Sequence, residues 1–398
     1  MMANAARARW AAAARTAAPL WACALVPSAG LVNGALYAPL LFGLGVVVAS
    51  AGWMADGTRP RADFALLWLA VGFVALGWAS VWWSVAPAET ARRALQLSLI
   101  ASGALLLLAV PVPEGELAER LFPMLLAALA IGALVMLADR VVGYRLQHLL
   151  APSAPFPVTK YNRGLDYLTL LVWPLLAIGA VAGRRREVWL AAVLAMLLAL
   201  VGHSTTAPVA MLVGAAAFVL AVVLPRTISG LAAGSLTLLA ITLPVWLRLA
   251  AAHRGAFVGH IKASGIHRLE IWDYMTARVT ERPLLGWGLA AANNVPIRPQ
   301  ELARYQFVVP QGVYPHQQWL ELWLELGVAG VLIALAASLL VVGRIDRLPP
   351  HTRPFGFAAF AAAMTVSFSN FEITTDSWWA ALAGTAFLVR AAVRLEAA

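Results

Sequence analysis

The stretch Tyr314-Pro315-His316-Gln317-Gln318-Trp319-Leu320, running on through Glu321 and Glu325 to Gly327 and Gly330, decides how this chain is read. A histidine stands at the lip of a long apolar segment, directly after the one long polar stretch of the protein. A membrane enzyme places there a group that must meet both lipid and water. The alternative is an interfacial histidine without chemistry. The rest of the chain has to decide between them.

Composition supplies the membrane. Of 398 residues, 62% are hydrophobic and 12% are charged, too little polar surface to cover a soluble globule. Apolar runs of about 20 residues recur, each long enough to cross roughly 30 Å of hydrocarbon. The strand alternation of an outer-membrane barrel is absent. The expected fold class is therefore all-α, a polytopic helical membrane protein with a single transmembrane domain over 1–398. About twelve spans are predicted, near 10–26, 32–54, 64–83, 93–112, 121–138, 165–183, 187–203, 206–225, 229–249, 316–342, 355–371 and 374–394. The start, with Arg7, Arg9 and Arg15 before an apolar run, also mimics a signal peptide. A retained first helix is preferred, because its charges suit a cytoplasmic start. The single cysteine, Cys23, has no partner for an internal disulfide.

Short loops set the orientation. Arg59 and Arg61, Arg184 to Arg186, Arg226, and Arg344, Arg347 and Arg353 fall on the same side as Arg7, Arg9, Arg15, Arg390 and Arg394. That side is expected to be cytoplasmic, with both termini inside. The loop with Glu114, Glu116 and Glu119 is its one weak member. About half of the 29 Lys and Arg nevertheless face outward, mostly in loops 139–164 and 250–315, the latter between the ninth and tenth spans. Long loops translocate regardless of charge, which accounts for 250–315. It accounts less well for Lys160 and Arg163, close to the next span, where an anion site is the better reading. The net charge of +10 is not gathered into a soluble basic domain, so membrane lipid rather than nucleic acid is the expected partner.

Two motifs carry the chemistry. At about 100° per residue, His316, Trp319, Trp323, Gly327 and Gly330 share one helical stripe, with Glu321 and Glu325 towards the opposite face. The glycines allow close helix approach, and the tryptophans suit an interface belt. Gln317 and Trp319 flank the histidine as candidate substrate contacts. The second motif runs from Arg268-Leu269-Glu270-Ile271-Trp272 to Arg282-Pro283-Leu284-Leu285-Gly286-Trp287-Gly288. Its apolar spacing predicts an amphipathic helix over 267–281, able to lie on the membrane surface. Arg268 at the start of that helix opposes the dipole, which points to another reason for keeping it. Its fork of donors matches phosphate oxygens.

These two motifs resemble the O-antigen ligase and O-antigen polymerase family of bacterial inner-membrane glycosyltransferases. Members show an Arg-x-x-x-Trp element ending in Pro-x-x-Gly-x-Gly in the large outer loop, matched here by Arg268, Trp272, Pro283, Gly286 and Gly288. They then show His-x-x-x-Leu-x-x-x-x-Glu-x-Gly-x-x-Gly, matched by His316, Leu320, Glu325, Gly327 and Gly330. Lys160-Tyr161-Asn162-Arg163-Gly164 is similar to an Asn-Arg-Gly stretch of some relatives. The resemblance implies that an outward arginine there binds the lipid diphosphate; a snorkelling helix cap is the alternative. One departure is His203-Ser204-Thr205-Thr206, where many relatives carry Ser-Arg-Gly. The arginine is missing, and His203 is either a substitute anion donor or a structural histidine.

The resemblance implies a GT-C-like fold and a periplasmic reaction in the inner membrane. A glycan linked to undecaprenyl diphosphate would pass to an acceptor hydroxyl, with inversion at the sugar carbon. For an O-antigen ligase the acceptor is a lipid A–core sugar. For a polymerase of O-antigen or exopolysaccharide repeats it is the end of another lipid-linked repeat. The compact chain with one sizeable outer loop favours the ligase, and a protein O-glycosylation ligase is a further variant. His316 would be the base. Arg268, Arg163, Lys160 and Arg282 would hold the diphosphate, with Trp272 beside them. No cofactor or metal is expected: Asp-x-Asp, Walker, Rossmann and zinc-spacing motifs are absent, so the donor must supply the energy. A transporter would place ionisable residues near the bilayer midplane, and these span centres are almost free of charge.

Overall fold

A computed structural model describes residues 18–19, 22, 25–57, 59–150, 152, 160–253, 263–305 and 314–398. The first expected span, with Arg7, Arg9, Arg15 and Cys23, falls largely outside the described residues, as do Arg254 and Lys262.

The described residues are helical and include no strand. The α-helices are α1 (Tyr37–Asp56), α2 (Phe64–Ala79), α3 (Pro87–Ala109), α4 (Gly115–Val141), α5 (Arg145–Leu150), α6 (Lys160–Val181) and α7 (Arg185–Val201). They continue as α8 (Thr206–Val223), α9 (Ile228–Ala252), α10 (Ala263–Glu281), α11 (Pro299–Arg304), α12 (Gln318–Asp346), α13 (Arg353–Ser367) and α14 (Asp376–Glu396). Eight helices among the described residues are long and apolar enough to cross a membrane: α1 to α4, α6, α8, α9 and α12. They coincide with eight of the expected spans. Three more expected spans form α7, α13 and α14. The protein is thus a multi-pass helical membrane protein.

Helix α6 is the hub. Each of its residues from Gly164 to Gly179 is buried, as expected for a helix surrounded by others. It packs against α4, α7, α8, α13 and α14. Pro174 sits within it without ending it, because enclosing helices protect the freed carbonyl. Outer helices instead present Trp68, Leu99, Leu134, Leu212 and Val245, the exposed apolar surface that a bilayer covers.

Polar contacts sort the loops to two ends. Arg344 meets Asp63 at 2.5 Å and Arg394 meets Glu114 at 3.4 Å. Arg353 reaches the Pro225 carbonyl at 2.5 Å and Arg390 that of Leu108 at 2.6 Å. These loops, read from charge as sharing a side, therefore share an end, the acidic Glu114 loop included. At the other end Arg140 reaches the Val201 carbonyl at 2.6 Å, Trp83 that of Leu285 at 3.1 Å, and Arg93 the Thr374 hydroxyl at 3.2 Å.

Helix α12 is broken. Gly327 has φ 61° and ψ −156°, about 13 Å below the helix start at 1.5 Å per residue. The segment after α10 fills the break. Trp287 and Gly288 N–H donate to the Leu324 and Glu325 carbonyls, both at 2.9 Å. In return Val328 and Ala329 N–H donate to Pro283 and Leu284 carbonyls at 2.8 and 3.3 Å. The Glu325 carboxylate accepts from Ala290 N–H at 2.8 Å and Ala292 N–H at 3.1 Å. Irregular backbone at such depth persists only where protein satisfies it. The glycines of the two sequence motifs are thus halves of one joint. A Cβ on Gly286 would lie 2.4 Å from Glu325 backbone, and one on Gly327 would lie 2.5 Å from Leu284 backbone.

Gly327→Ala is expected to destabilise the protein by about 2–4 kcal/mol, from the strained φ and the overlap. Thermal unfolding in detergent measures this, and an unchanged Tm would contradict the joint.

Candidate active site

Helix α12 begins at Gln318, two residues later than the stripe through His316 requires. Gln317 is its N-cap, and its side-chain oxygen accepts from Leu320 N–H. His316 itself has φ 50°, left-handed backbone that a non-glycine residue adopts at a cost and that recurs at functional sites. The histidine therefore does not share the stripe of Trp319 and Trp323. Those tryptophans hold the helix instead. Trp319 stacks on Phe368 with ring centroids 5.3 Å apart, and its Nε1 donates to Ser367 Oγ at 3.1 Å. Trp323 Nε1 donates to the Ala240 carbonyl at 2.8 Å.

The strap carrying His316 is pinned from α10. Trp272 Nε1 donates to the Pro315 carbonyl at 2.8 Å. Tyr314 meets the imidazole edge-on, with ring centroids 4.6 Å apart. Helix α10 does not lie on a membrane surface. Its Ile271, Tyr274, Met275 and Val279 are buried with Leu236, Leu243 and Leu247 of α9 and Leu322 of α12. The amphipathic pattern was read correctly, but its partner is protein. The helix also starts earlier than the expected 267, at Ala263, so Arg268 lies beyond its first turn, where the dipole acts weakly.

Arg268 is half-buried and its Nη1 donates to the Ser369 carbonyl at 2.8 Å. Burial pulls its pKa down, while the Asp166 carboxylate and the Tyr314 phenol act the other way. Asp166 is fully buried. It accepts from Ser204 Oγ at 2.6 Å and Asn370 Nδ2 at 2.8 Å. The serine of the divergent 203–206 segment thus serves this carboxylate. Asp166 belongs to neither sequence motif, although an ionisable residue entering a span is itself a signal.

His316 is lowered from 6.5 to about 4, first by burial, then by the charges of Arg268 and His267. The imidazole is therefore neutral near pH 7 and available as a proton acceptor. Burial, then the carboxyls of Glu321 and Glu372, push the Tyr314 phenol up, and the charge of the exposed Arg163 acts the other way. Arg163, Arg268 and His316 thus all act on Tyr314.

Other candidates stand apart. Lys160 is exposed at the start of α6. Arg282 lies over the Trp287 ring at 4.2 Å and reaches the Trp83 carbonyl at 3.4 Å, beside the α12 joint. His203 Nε2 lies 3.1 Å from the Tyr144 hydroxyl. Near that pair, the Tyr161 hydroxyl donates to Asp139 at 2.8 Å.

Residues 170–335 match the family model described as O-antigen ligase. A Rickettsia felis protein, provisionally named a polysaccharide ligase, is 23% identical over 232 residues, 57% of this chain and 56% of its own length. A Rickettsia typhi protein of like name is 23% identical over 228 residues, 56% of each chain. This chain thus spans just over half the length of the curated relatives it matches. The O-antigen ligase family is the one that the two motifs resemble, and the matched region holds Arg268, His316 and the whole α12 joint. Arg163 and Asp166 lie before it.

The lowered His316 pKa fixes the sign of a stability change. An unfolded chain takes up this proton as pH falls through about 6.5, and the folded chain only near 4, so stability is lost as pH falls through that window. Tm is expected to fall more steeply across that window in the parent than in His316→Gln. Identical slopes would show that the imidazole is not held neutral.

Proposed function

We propose that the protein is a glycosyltransferase of the O-antigen ligase kind. It transfers a glycan from undecaprenyl diphosphate to a lipid A–core sugar hydroxyl at the periplasmic face of the inner membrane, with both termini cytoplasmic. The observation that carries this reading is a neutral, half-buried imidazole under the charge of Arg268, packed on a Tyr314 that also feels the charge of Arg163, at one end of the helix bundle. His316 and Arg268 are brought there by different elements, and Arg163 by a third. The family match supports the same reaction class.

In this reading the acceptor oxygen attacks the anomeric carbon, and its proton passes to an imidazole nitrogen of His316. The bond from that carbon to the diphosphate oxygen breaks, and undecaprenyl diphosphate leaves with the electron pair. Attack opposite the leaving group inverts the centre. Arg268 and Arg163 stabilise the growing charge on the diphosphate, as preorganised donors do best where water is excluded. The arginines make a metal unnecessary for this step.

The donor also prepares the base. Free of substrate, His316 is a weak base, first because it is buried and then because Arg268 and His267 act on it. A diphosphate beside Arg268 offsets that charge and raises the imidazole towards the operating pH, where general bases work best.

His316→Ala is expected to lower transfer by about two to four decades while leaving a folded membrane protein. Near-normal turnover would remove His316 from the mechanism. Arg268→Lys is expected to cost about two to three decades, since an ammonium lacks the bidentate fork. Full activity in that variant would make the arginine structural. Both are measured with purified lipid-linked donor, alongside Tm as a control for folding.

A further inference from the structure

Beside Tyr314, the described residues line a cavity of about 230 Å³. Its lining includes Arg93, Asn294, Tyr314, Glu321, Glu325 and Glu372, and the donor chemistry uses none of its carboxylates. Glu325 is accounted for, since both its oxygens hold backbone N–H groups of the α12 joint. Glu321 is not. It is 4% exposed, and one of its oxygens accepts from Ile373 N–H at 2.9 Å. Its other oxygen has no hydrogen bond or ion pair from the described residues. The Tyr314 hydroxyl is likewise buried and without a hydrogen-bond partner. Buried polar groups in native proteins are nearly always paired, so the Tyr314 hydroxyl, on a wall where Glu321 has an oxygen to spare, points to an absent occupant.

The wall also says what the occupant is. Among the described residues of the lining, Glu89, Glu321, Glu325 and Glu372 face Arg93. Arg93 is itself tied to Glu89 at 2.9 Å and lies 3.9 Å from Glu372, and Glu89 is also held by Arg92 at 2.5 Å. Such a lining leaves a diphosphate no unpaired cation among the described residues. The acids do not converge as a metal-ligand set among the described residues. Carboxylates accept hydrogen bonds, asparagine amides give and accept them, and a phenol does either. Sugar hydroxyls satisfy all three. The volume equals that of about seven or eight liquid waters, the space of one sugar ring. Tyr314 connects this wall to the base, its ring 4.6 Å from the imidazole.

We infer that this cavity is the acceptor subsite, and that it takes one uncharged sugar ring, an acceptor terminus bearing hydroxyls but no phosphate or carboxylate. Glu321, Glu372 and the Tyr314 hydroxyl hold that ring and present one hydroxyl to His316. The assignment rests on the reading of the protein as a glycosyltransferase. It adds a selection rule: cations at Arg163 and Arg268 take the charged donor, and the acid-rich cavity lining gives an anion no partner.

The test is binding, read without turnover. The full chain in lipid nanodiscs is titrated with a methyl hexoside and with the matching methyl hexuronide, followed by saturation-transfer NMR and tryptophan fluorescence. The hexoside is expected to bind, and the hexuronide about tenfold more weakly or not at all. Glu321→Gln and Glu372→Gln are each expected to weaken the hexoside about tenfold, with undecaprenyl diphosphate binding unchanged. Should Glu321→Gln lose its thermal transition, Glu372→Gln at the more exposed rim decides. No hexoside binding, equal hexuronide binding, or full hexoside affinity in Glu372→Gln would overturn the subsite. Selective hexoside binding by a chain that transfers nothing would leave the subsite standing and remove the transferase reading. Transfer without that selectivity would do the reverse.

Discussion

The exchange of backbone hydrogen bonds at the α12 break is the constraint on which the rest depends. In an apolar surrounding, each backbone group left unpaired costs several kcal/mol. The Leu324 and Glu325 carbonyls and the Val328 and Ala329 N–H groups would all be such groups without the 283–292 segment. That segment would be an unpaired loop without the break. Each half makes the other possible. Together they fix the end of α10 beside the upper half of α12. Arg268 and His316 then meet although 47 intervening residues separate them, and the Trp272 to Pro315 bond trims the approach.

Opposite charges then converge on one aromatic pair. Arg268, Arg163, Glu321 and Glu372 all act on Tyr314, the ring that meets His316 edge-on. In the proposed reaction, this is where a charged donor and an uncharged acceptor meet the imidazole. Asp166 supports Arg268, and its hold on Ser204 and Asn370 ties α6, the start of α8 and the end of α13 to the site.

Much of the fold was legible in the sequence because a bilayer demands long apolar runs and internally satisfied backbone. The spans, the shared end of the basic loops and the motif residues followed from those demands. Periodicity could not say what a face packs against, so the 267–281 helix was placed on lipid when its partners are Leu236, Leu243 and Leu247. Nor could it see that the Gln317 cap starts the helix after His316. The glycines were legible as places of close approach, but not that Gly286 and Gly327 approach each other's segments. The acceptor wall was invisible for a topological reason. Glu89, Glu321 and Glu372 come from three elements far apart in sequence, and only the fold brings them to one cavity.

The most direct measurement of the central claim is transfer in proteoliposomes holding only the purified chain, undecaprenyl-diphosphate-linked glycan and lipid A–core. The account predicts glycan on the core sugar through an inverted linkage, with one free undecaprenyl diphosphate for each chain transferred. Donor that remains intact, or that lengthens into lipid-linked polymer while the core stays bare, would contradict it.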